Sequence, residues 1–272
     1  MREFPFKNVV CNEMNIFSVK KLIWFFCLII FGLLTCERPP IPDPQIILIE
    51  PSLYDTIDSS SVTFIWEANE DAIEFSYSLD NIVWSEWFED TTLTLHYLDE
   101  GEHIIWINAR FSDIYESDNP LEVKFEVDAI QGPSLRLFPL LRKANIGVMD
   151  TVYVFVEEVE NVMVTELEIT YDPGSLDPDS IRVTGDSLFT GFGNKAILIQ
   201  EHNKAQGLIH LNLGVADEGG ISGSGAVILI EFLPVIPDTF SFDISGEATF
   251  RDSNNVKINI LKQVSGRVEV TE

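Results

Sequence analysis

Histidines, cysteines and facing carboxylates are the groups best able to hold a metal or move a proton, so their placement in this 272-residue chain limits its chemistry. The four histidines, His96, His103, His202 and His210, fall on separate strand or turn segments without a ligand-spaced pair. A hydrolytic zinc site needs three protein ligands converging on one point. His202 and His210 could approach one another across adjacent strands, but no third ligand accompanies them, and surface histidines are the expectation. The three cysteines are Cys11, Cys27 and Cys36, so everything after residue 36 lacks a disulfide or a thiolate metal site.

Carboxylates are abundant: 44 Asp and Glu stand against 17 Lys and Arg, for a net charge of -27. Chance acid pairs are therefore common, and Glu157, Glu158 and Glu160, or Asp177 with Asp179, read as a solvated acidic face rather than a glycosidase pair. Asp172, Asp177 and Asp179 on one loop, or Asp252 with Asn254, offer oxygen ligands that would suit a structural calcium ion, although the spacing is not that of an EF-hand. No other cofactor is indicated. A nucleophile elbow, a Walker loop and a dinucleotide fingerprint are all missing, because Gly191-Phe192-Gly193 and Gly223-Ser224-Gly225 lack the following helix and lysine. The acidic balance also argues against nucleic acid, whose phosphates need clustered Lys and Arg.

Aromatic side chains are the remaining candidates. Trp84, Trp87 and Phe88 cluster after the Asp80-Asn81 turn, and exposed aromatics on such modules stack on sugars or proteins, which makes Trp84 and Trp87 candidate binding residues. Large aromatics on alternating strands more commonly face inward, so a core position for Trp84, with Trp87 packing its edge, is the competing expectation.

Those residues must be placed by elements, and the first element is an address. Lys20 and Lys21 precede an apolar run at 22–34 (LIWFFCLIIFGLL), too short to span a bilayer comfortably, which with its basic start reads as a secretory signal peptide over residues 1–35. Met14 is an alternative start that gives a compact basic segment. The run ends Leu33-Leu34-Thr35-Cys36, which resembles the bacterial lipobox, with Thr35 where Gly, Ala or Ser is usual. The resemblance implies lipid attachment at Cys36 and anchoring to a membrane of the cell envelope, at the outer membrane or cell surface. Residues 36–45 continue as a linker with prolines at 39, 40, 42 and 44, a density that excludes helix and favours an extended stalk.

From 46 to 128 short runs alternate apolar and polar positions: Val62, Phe64 and Trp66; Ile73, Phe75, Tyr77 and Leu79; Leu93, Leu95 and Tyr97; Ile105, Ile107, Ala109 and Phe111; Leu121, Val123, Phe125 and Val127. With strands at 46–50 and 82–87, about seven strands are spaced as an antiparallel sandwich requires. The stretches FSYSLDNIVWSEW (75–87) and LDEGEHIIWINAR (98–110) resemble the Ig-like or fibronectin type III-like repeats of bacterial surface and sensor proteins. That resemblance specifies a fold and leaves function open.

Gly132-Pro133 breaks the chain, and residues 134–272 carry a second β region with strands expected at 135–139, 151–156, 164–171, 196–200, 208–215, 226–233, 239–244, 256–260 and 267–270. Gly219, Gly220, Gly223 and Gly225 are expected to form a flexible turn before the apolar run AVILIEF. The order of TVYVFVEEV after Asp150, ENVMVTELEITYDPGSL (160–176), GGISGSGAVILIEF (219–232) and ATFRDSNNVKI (248–258) resembles a cohesin domain, the jelly roll related to bacterial cellulose-binding modules. Met149 departs from the family's glycine before Asp150, and Asn254-Asn255 from its late glycine turn, which weighs on dockerin binding.

The expected fold class is therefore all-β, two antiparallel sandwiches in tandem, Ig-like then cohesin-like, after a signal peptide. The resemblances imply a non-enzymatic envelope lipoprotein whose cohesin-like domain holds a dockerin-type protein or a polysaccharide through a flat strand face. The alternative is a structural spacer without a specific ligand, and a contiguous exposed apolar patch on one sheet of 134–272 separates the two readings.

Overall fold

The computed structural model describes residues 40–217 and 219–272, and the chain over them is nearly all β. The expectations placed on the signal segment, on Cys36 and on the first part of the linker lie outside the described residues. Among the described residues no helix is long and apolar enough to cross a membrane.

The first sheets come from β1 (Ile46–Glu50), β2 (Thr56–Ile57), β3 (Val62–Ala68), β4 (Glu74–Leu79), β5 (Thr92–Leu95), β6 (Gly101–Ser112), β7 (Tyr115–Glu116) and β8 (Leu121–Val127). One sheet runs β1-β3-β5 and the other β2-β8-β6-β4, with β7 on β6. The period-two pattern explains this layering, because Val62, Phe64 and Trp66 from one sheet and Ile105, Ile107, Val123 and Phe125 from the other are buried in one cluster. Edge-on aromatic pairs tie the layers: Phe64 with Phe125 at 5.4 Å and Trp66 with Phe75 at 5.3 Å between ring centres.

The strand expected at 82–87 does not form. Asp80 and Asn81 both take positive φ in a tight turn closed by Ile82 N donating to Leu79 O, and the chain then runs beside β4 irregularly. Ser85 Oγ accepts from Tyr77 N, so a side chain occupies a donor that a ladder would use, and only Phe88 makes a paired bridge, with Phe75. Ile73 and Phe111, expected inward, are exposed because they lie at or beyond the ends of the sheet core.

The second set of sheets comprises β9 (Ser134–Phe138), β10 (Leu141–Asn145), β11 (Asp150–Thr170), β12 (Arg182–Gly185), a one-turn helix α1 (Ser187–Thr190), β13 (Ala196–Asn203), β14 (Leu208–Val215), β15 (Ile221–Phe232), β16 (Thr239–Asp252), β17 (Lys257–Ile258), β18 (Lys262–Val264) and β19 (Gly266–Thr271). The two strands expected at 151–156 and 164–171 are one. β11 pairs with β15 and β9 through its first half and with β14 and β16 through its second. Register shifts around Val156, Val159 and Val162, with positive φ at Glu158 and Asn161, let it pass from one layer to the other. Between the layers lie Val154, Ile169, Ile209, Leu211, Ile230, Phe232, Phe242 and Phe250, each almost fully buried. Burying a side chain of this size contributes about 1.5–3 kcal/mol.

The glycine-rich turn is shorter than expected. Gly219 and Gly220 precede β15, whereas Gly223 and Gly225 lie within it. Gly225 lies close under α1, where a Cβ would stand 3.3 Å from the Leu188 side chain.

The two cores meet at a polar junction. Asp99 Oδ1, just before β6, accepts from Leu140 N at 2.8 Å and lies 3.6 Å from Arg136 Nη1 of β9. Arg136 is buried over the rings of Phe138 and Phe155, and its Nε donates to Glu157 Oε1 at 2.7 Å. Lys262 Nζ donates to Ala129 O, and Ile130 and Leu140 are buried at the same place.

Candidate functional site

The chemistry-bearing residues do not converge. Among the described residues no group of three or more His, Cys, Asp or Glu side chains is arranged to hold a metal ion. Asp172, Asp177 and Asp179 are each occupied locally instead of facing one another. Asp172 accepts from Gly174 N and Ser175 Oγ, Asp177 Oδ1 accepts from Asp179 N, and Asp179 accepts from Lys204 Nζ at 2.6 Å. The bonds of Asp172 and Asp177 close turns within one loop, and that of Asp179 ties the loop to the turn between β13 and β14, so the three carboxylates expected as a calcium set are not gathered on one point in this arrangement. Asp252 behaves likewise, its Oδ1 accepting from Asn254 N and Val256 N.

The histidines are also separate. β13 and β14 pair Glu201 with His210 and His202 with Ile209, and this one-residue offset sends the two imidazoles to opposite faces. His202 turns inward, where its Nε2 lies 2.7 Å from the Tyr171 hydroxyl and burial lowers its pKa while raising that of Tyr171. His96 Nδ1 meets Ser61 Oγ, and His103 lies between Asp80 Oδ2 and Asp99 O.

Trp84 is 46% exposed, so the sandwich core is built on Trp66 and not on Trp84. Trp87 is half-buried beneath Arg110, whose Cζ stands 4.4 Å from the ring centre and whose Nε donates to Glu74.

The feature that does stand out is the outer face of the path β13-β14-β11-β16. β13 is an edge strand that turns Ala196, Leu198 and His202 inward and Ile197, Ile199, Glu201 and Asn203 outward. The registers then fix the rows. Ile197 stands opposite Gly214, which stands opposite Val164, which stands opposite Arg251. The next row is Ile199, Asn212, Glu166 and Thr249, and the third is Glu201, His210, Glu168 and Ser245. Ile197, Ile199 and Val164 are 52%, 57% and 47% exposed, so apolar side chains of three residues lie open at one end of a single sheet face. Gly214 leaves a gap between Ile197 and Val164, because a side chain there would only begin to touch Ile197.

The other end of the face is acidic and hydrogen-bonded. His210 Nε2 lies 3.1 Å from Glu166 Oε1, and Ser245 Oγ donates to Glu168 Oε2. The arrangement presents an apolar patch beside carboxylates on a rigid sheet. That suits recognition of a protein surface and supplies neither a nucleophile nor a paired acid and base. The apolar row was not visible from strand candidates alone: the run AILIQ is apolar at consecutive positions, and only pairing decides which of them faces out.

No protein-family model matches the chain, and no curated protein matches it. Solved structures similar to its C-terminal part include cohesins. A non-cellulosomal cohesin from the hyperthermophilic archaeon Archaeoglobus fulgidus is 16% identical, covering 51% of this chain and 91% of its own, with a TM-score of 0.43. The sixth cohesin of scaffoldin B from Acetivibrio cellulolyticus, in complex with a Cel5 dockerin, is 22% identical, covering 52% and 100%, with a TM-score of 0.44. The cohesin of a type I cohesin-dockerin complex from Clostridium thermocellum is 14% identical, covering 51% and 98%, with a TM-score of 0.44. At these values the likeness bears on neither ligand nor partner.

Proposed function

We propose that the chain is a non-enzymatic envelope lipoprotein whose C-terminal sandwich holds a dockerin-type protein on the outer face of β13-β14-β11-β16. The observation that carries the reading is the exposed patch of Ile197 and Val164 in one row and Ile199 in the next on one sheet face, flanked by Glu166, Glu168 and Glu201. A spacer has no need to leave three branched apolar side chains open on the same face, whereas a binding patch has an apolar centre and a polar rim. The ordered cohesin-like segments in the sequence support the choice of partner. The acidic rim favours one that brings Lys, Arg or hydroxyl groups to meet it. Cys36 would carry the lipid, and two or more acyl chains there would anchor the module where one would be marginal.

A panel of purified dockerin modules tested against the chain by calorimetry checks the reading. Saturable binding of at least one module, weakened by Ile199→Asp, supports it. Failure of every dockerin to bind more tightly than about 100 μM sinks it and leaves the spacer reading. Mass spectrometry of the protein recovered from membranes tests the anchor, since Cys36→Ala must abolish any diacylglycerol adduct.

A further inference from the structure

The N-terminal sandwich has a cleft that the sheet-face reading does not use. It encloses about 640 Å³ beside the strands β6 and β8 and is lined by Tyr54, Asn81, Glu102, Trp106, Lys124 and Glu126, among others. That volume falls within the roughly 300–1,000 Å³ of small-ligand sites.

The registers explain how it is built. Glu102 stands opposite Glu126 and Ile104 opposite Lys124, with Trp106 next along β6, so alternate residues of two neighbouring strands make one floor. Tyr54 closes one side, held by its N donating to Lys124 O, and its side chain is 75% exposed. The turn of Asp80 and Asn81 closes the other, with Asp80 Oδ1 accepting from Ile104 N and Oδ2 bonded to His103.

Tyr54, Asp80 and Asn81 all take positive φ, at 65°, 52° and 59°. For a residue as bulky as Tyr this backbone is an outlier, and such outliers gather at ligand clamps. The phenol is held over the cleft although the chain around it would relax more easily with glycine.

The polar lining is unspent. The side chains of Asn81, Glu102 and Glu126, the Tyr54 hydroxyl and the Trp106 indole N–H make no hydrogen bond with any described residue. Lys124 pairs with Glu122 at 2.9 Å and also feels Glu102, and this holds its ammonium pKa above the ordinary value, whereas Glu102 stands across from a like charge, Glu126. A polyanion would meet Asp80, Glu102 and Glu126, while the one lysine of the lining is already paired with Glu122. Hydroxyl groups can donate to the carboxylates and accept from the indole, the amide and the ammonium, while the flat C–H face of a pyranose ring covers an aromatic ring.

From this lining we infer that the N-terminal sandwich binds a neutral saccharide, with Trp106 and Tyr54 as stacking surfaces and Glu102, Glu126 and Asn81 as hydrogen-bonding partners. The site is on different strands from the protein-binding face, and the two inferences stand or fall separately.

Titration calorimetry of the full chain with neutral hexasaccharides of glucose, xylose and mannose tests it, with a galacturonic acid hexamer and a trimethylammonium compound as charged probes. At least one neutral hexamer is expected to bind saturably, with a change in tryptophan fluorescence. Trp106→Ala and Tyr54→Gly are each expected to weaken that binding about tenfold or more. Tyr54→Gly removes the ring while relaxing its backbone, so its loss of binding cannot be put down to misfolding. Ile199→Asp on the other face is expected to leave saccharide affinity unchanged. No saturable binding of any neutral hexamer up to about 10 mM overturns the inference. So does tighter binding of either charged probe, or binding indifferent to Tyr54→Gly.

Discussion

His210 stands directly across from Glu168 in the β11-β14 ladder, yet its Nε2 reaches the diagonal Glu166 at 3.1 Å. The directly opposed carboxylate is left to accept from Ser245 on β16. Two carboxylates on one strand are thus held by different neighbours, and both stay at the surface of the proposed binding face. Exposed pairs of this kind contribute about 0–1 kcal/mol. Glu166→Gln is therefore expected to change unfolding free energy in urea by less than about 1 kcal/mol, while Glu168→Lys slows association with a basic partner and flattens its salt dependence. A loss of several kcal/mol from Glu166→Gln would mean that this pair holds the sheet together.

Ile199→Asp separates binding from folding. The residue is 57% exposed on an edge strand, so stability is expected to move by about 0.5 kcal/mol or less. A charge in the centre of an apolar contact is expected to cost at least about 2 kcal/mol of partner affinity. Equal melting temperatures with an affinity lowered thirtyfold or so would meet both expectations. A variant that melts early would place Ile199 in the fold's own packing.

Arg136 is the most consequential charge of the junction. It is 3% exposed, lies over the rings of Phe138 and Phe155, and is paired with Glu157. Removing one partner of a buried pair costs about 3–5 kcal/mol because the other charge is stranded. Arg136→Met alone is expected to lose that amount in chemical denaturation, and Arg136→Met with Glu157→Leu to recover most of it. A double variant no better than the single would show that Glu157 is solvated after all.

Asp99 gives the junction a pH dependence of definite sign. Burial raises its pKa against the opposing effects of Leu140 N–H and Arg136. A carboxyl with a raised folded pKa binds its proton more tightly in the folded state. Its contribution is fully present below the ordinary value near 4 and is lost as pH rises through the raised value. The thermal stability margin of the natural chain over Asp99→Asn should therefore shrink between about pH 4 and pH 7. A margin that widens over that range would mean that attraction to Arg136 outweighs desolvation.

Much of the strand framework was legible because period-two alternation is a direct record of burial, as in Val62, Phe64 and Trp66 or in Val123, Phe125 and Val127. The failures have physical causes. The run at 82–87 has strand composition, but Ser85 caps a β4 donor with its hydroxyl, and no residue type announces that. β11 read as two strands because Glu157, Glu158 and Asn161 interrupt its alternation, and positive φ at two of them carries the strand on through the interruption. β10, β12 and β18 are short and lack a run long enough to show a period. Trp66 was legible as core from its alternating run, whereas the exposure of Trp84 follows from the irregular path of residues 82–87, which no residue type announces. The apolar row and the saccharide cleft both join residues from separate strands, so register alone assembles them.

The parallel ladders at the ends of the second sandwich have a mechanical consequence. β9 runs parallel to β18 and β10 parallel to β19, so its first strands lie alongside its last ones in the same direction. Tension applied between residues 134 and 271 therefore slides β10 along β19 and strains their rungs together, from Leu141 opposite Arg267 to Asn145 opposite Thr271. An antiparallel pair pulled the same way would peel open one rung at a time. Single-molecule stretching between those two points is expected to need a markedly higher rupture force than stretching from residue 134 to a handle at Asn203, on the edge strand. With lipid at the N-terminal end and a partner on the face that β13 borders, the load would follow the second of these paths and bypass the parallel ladders.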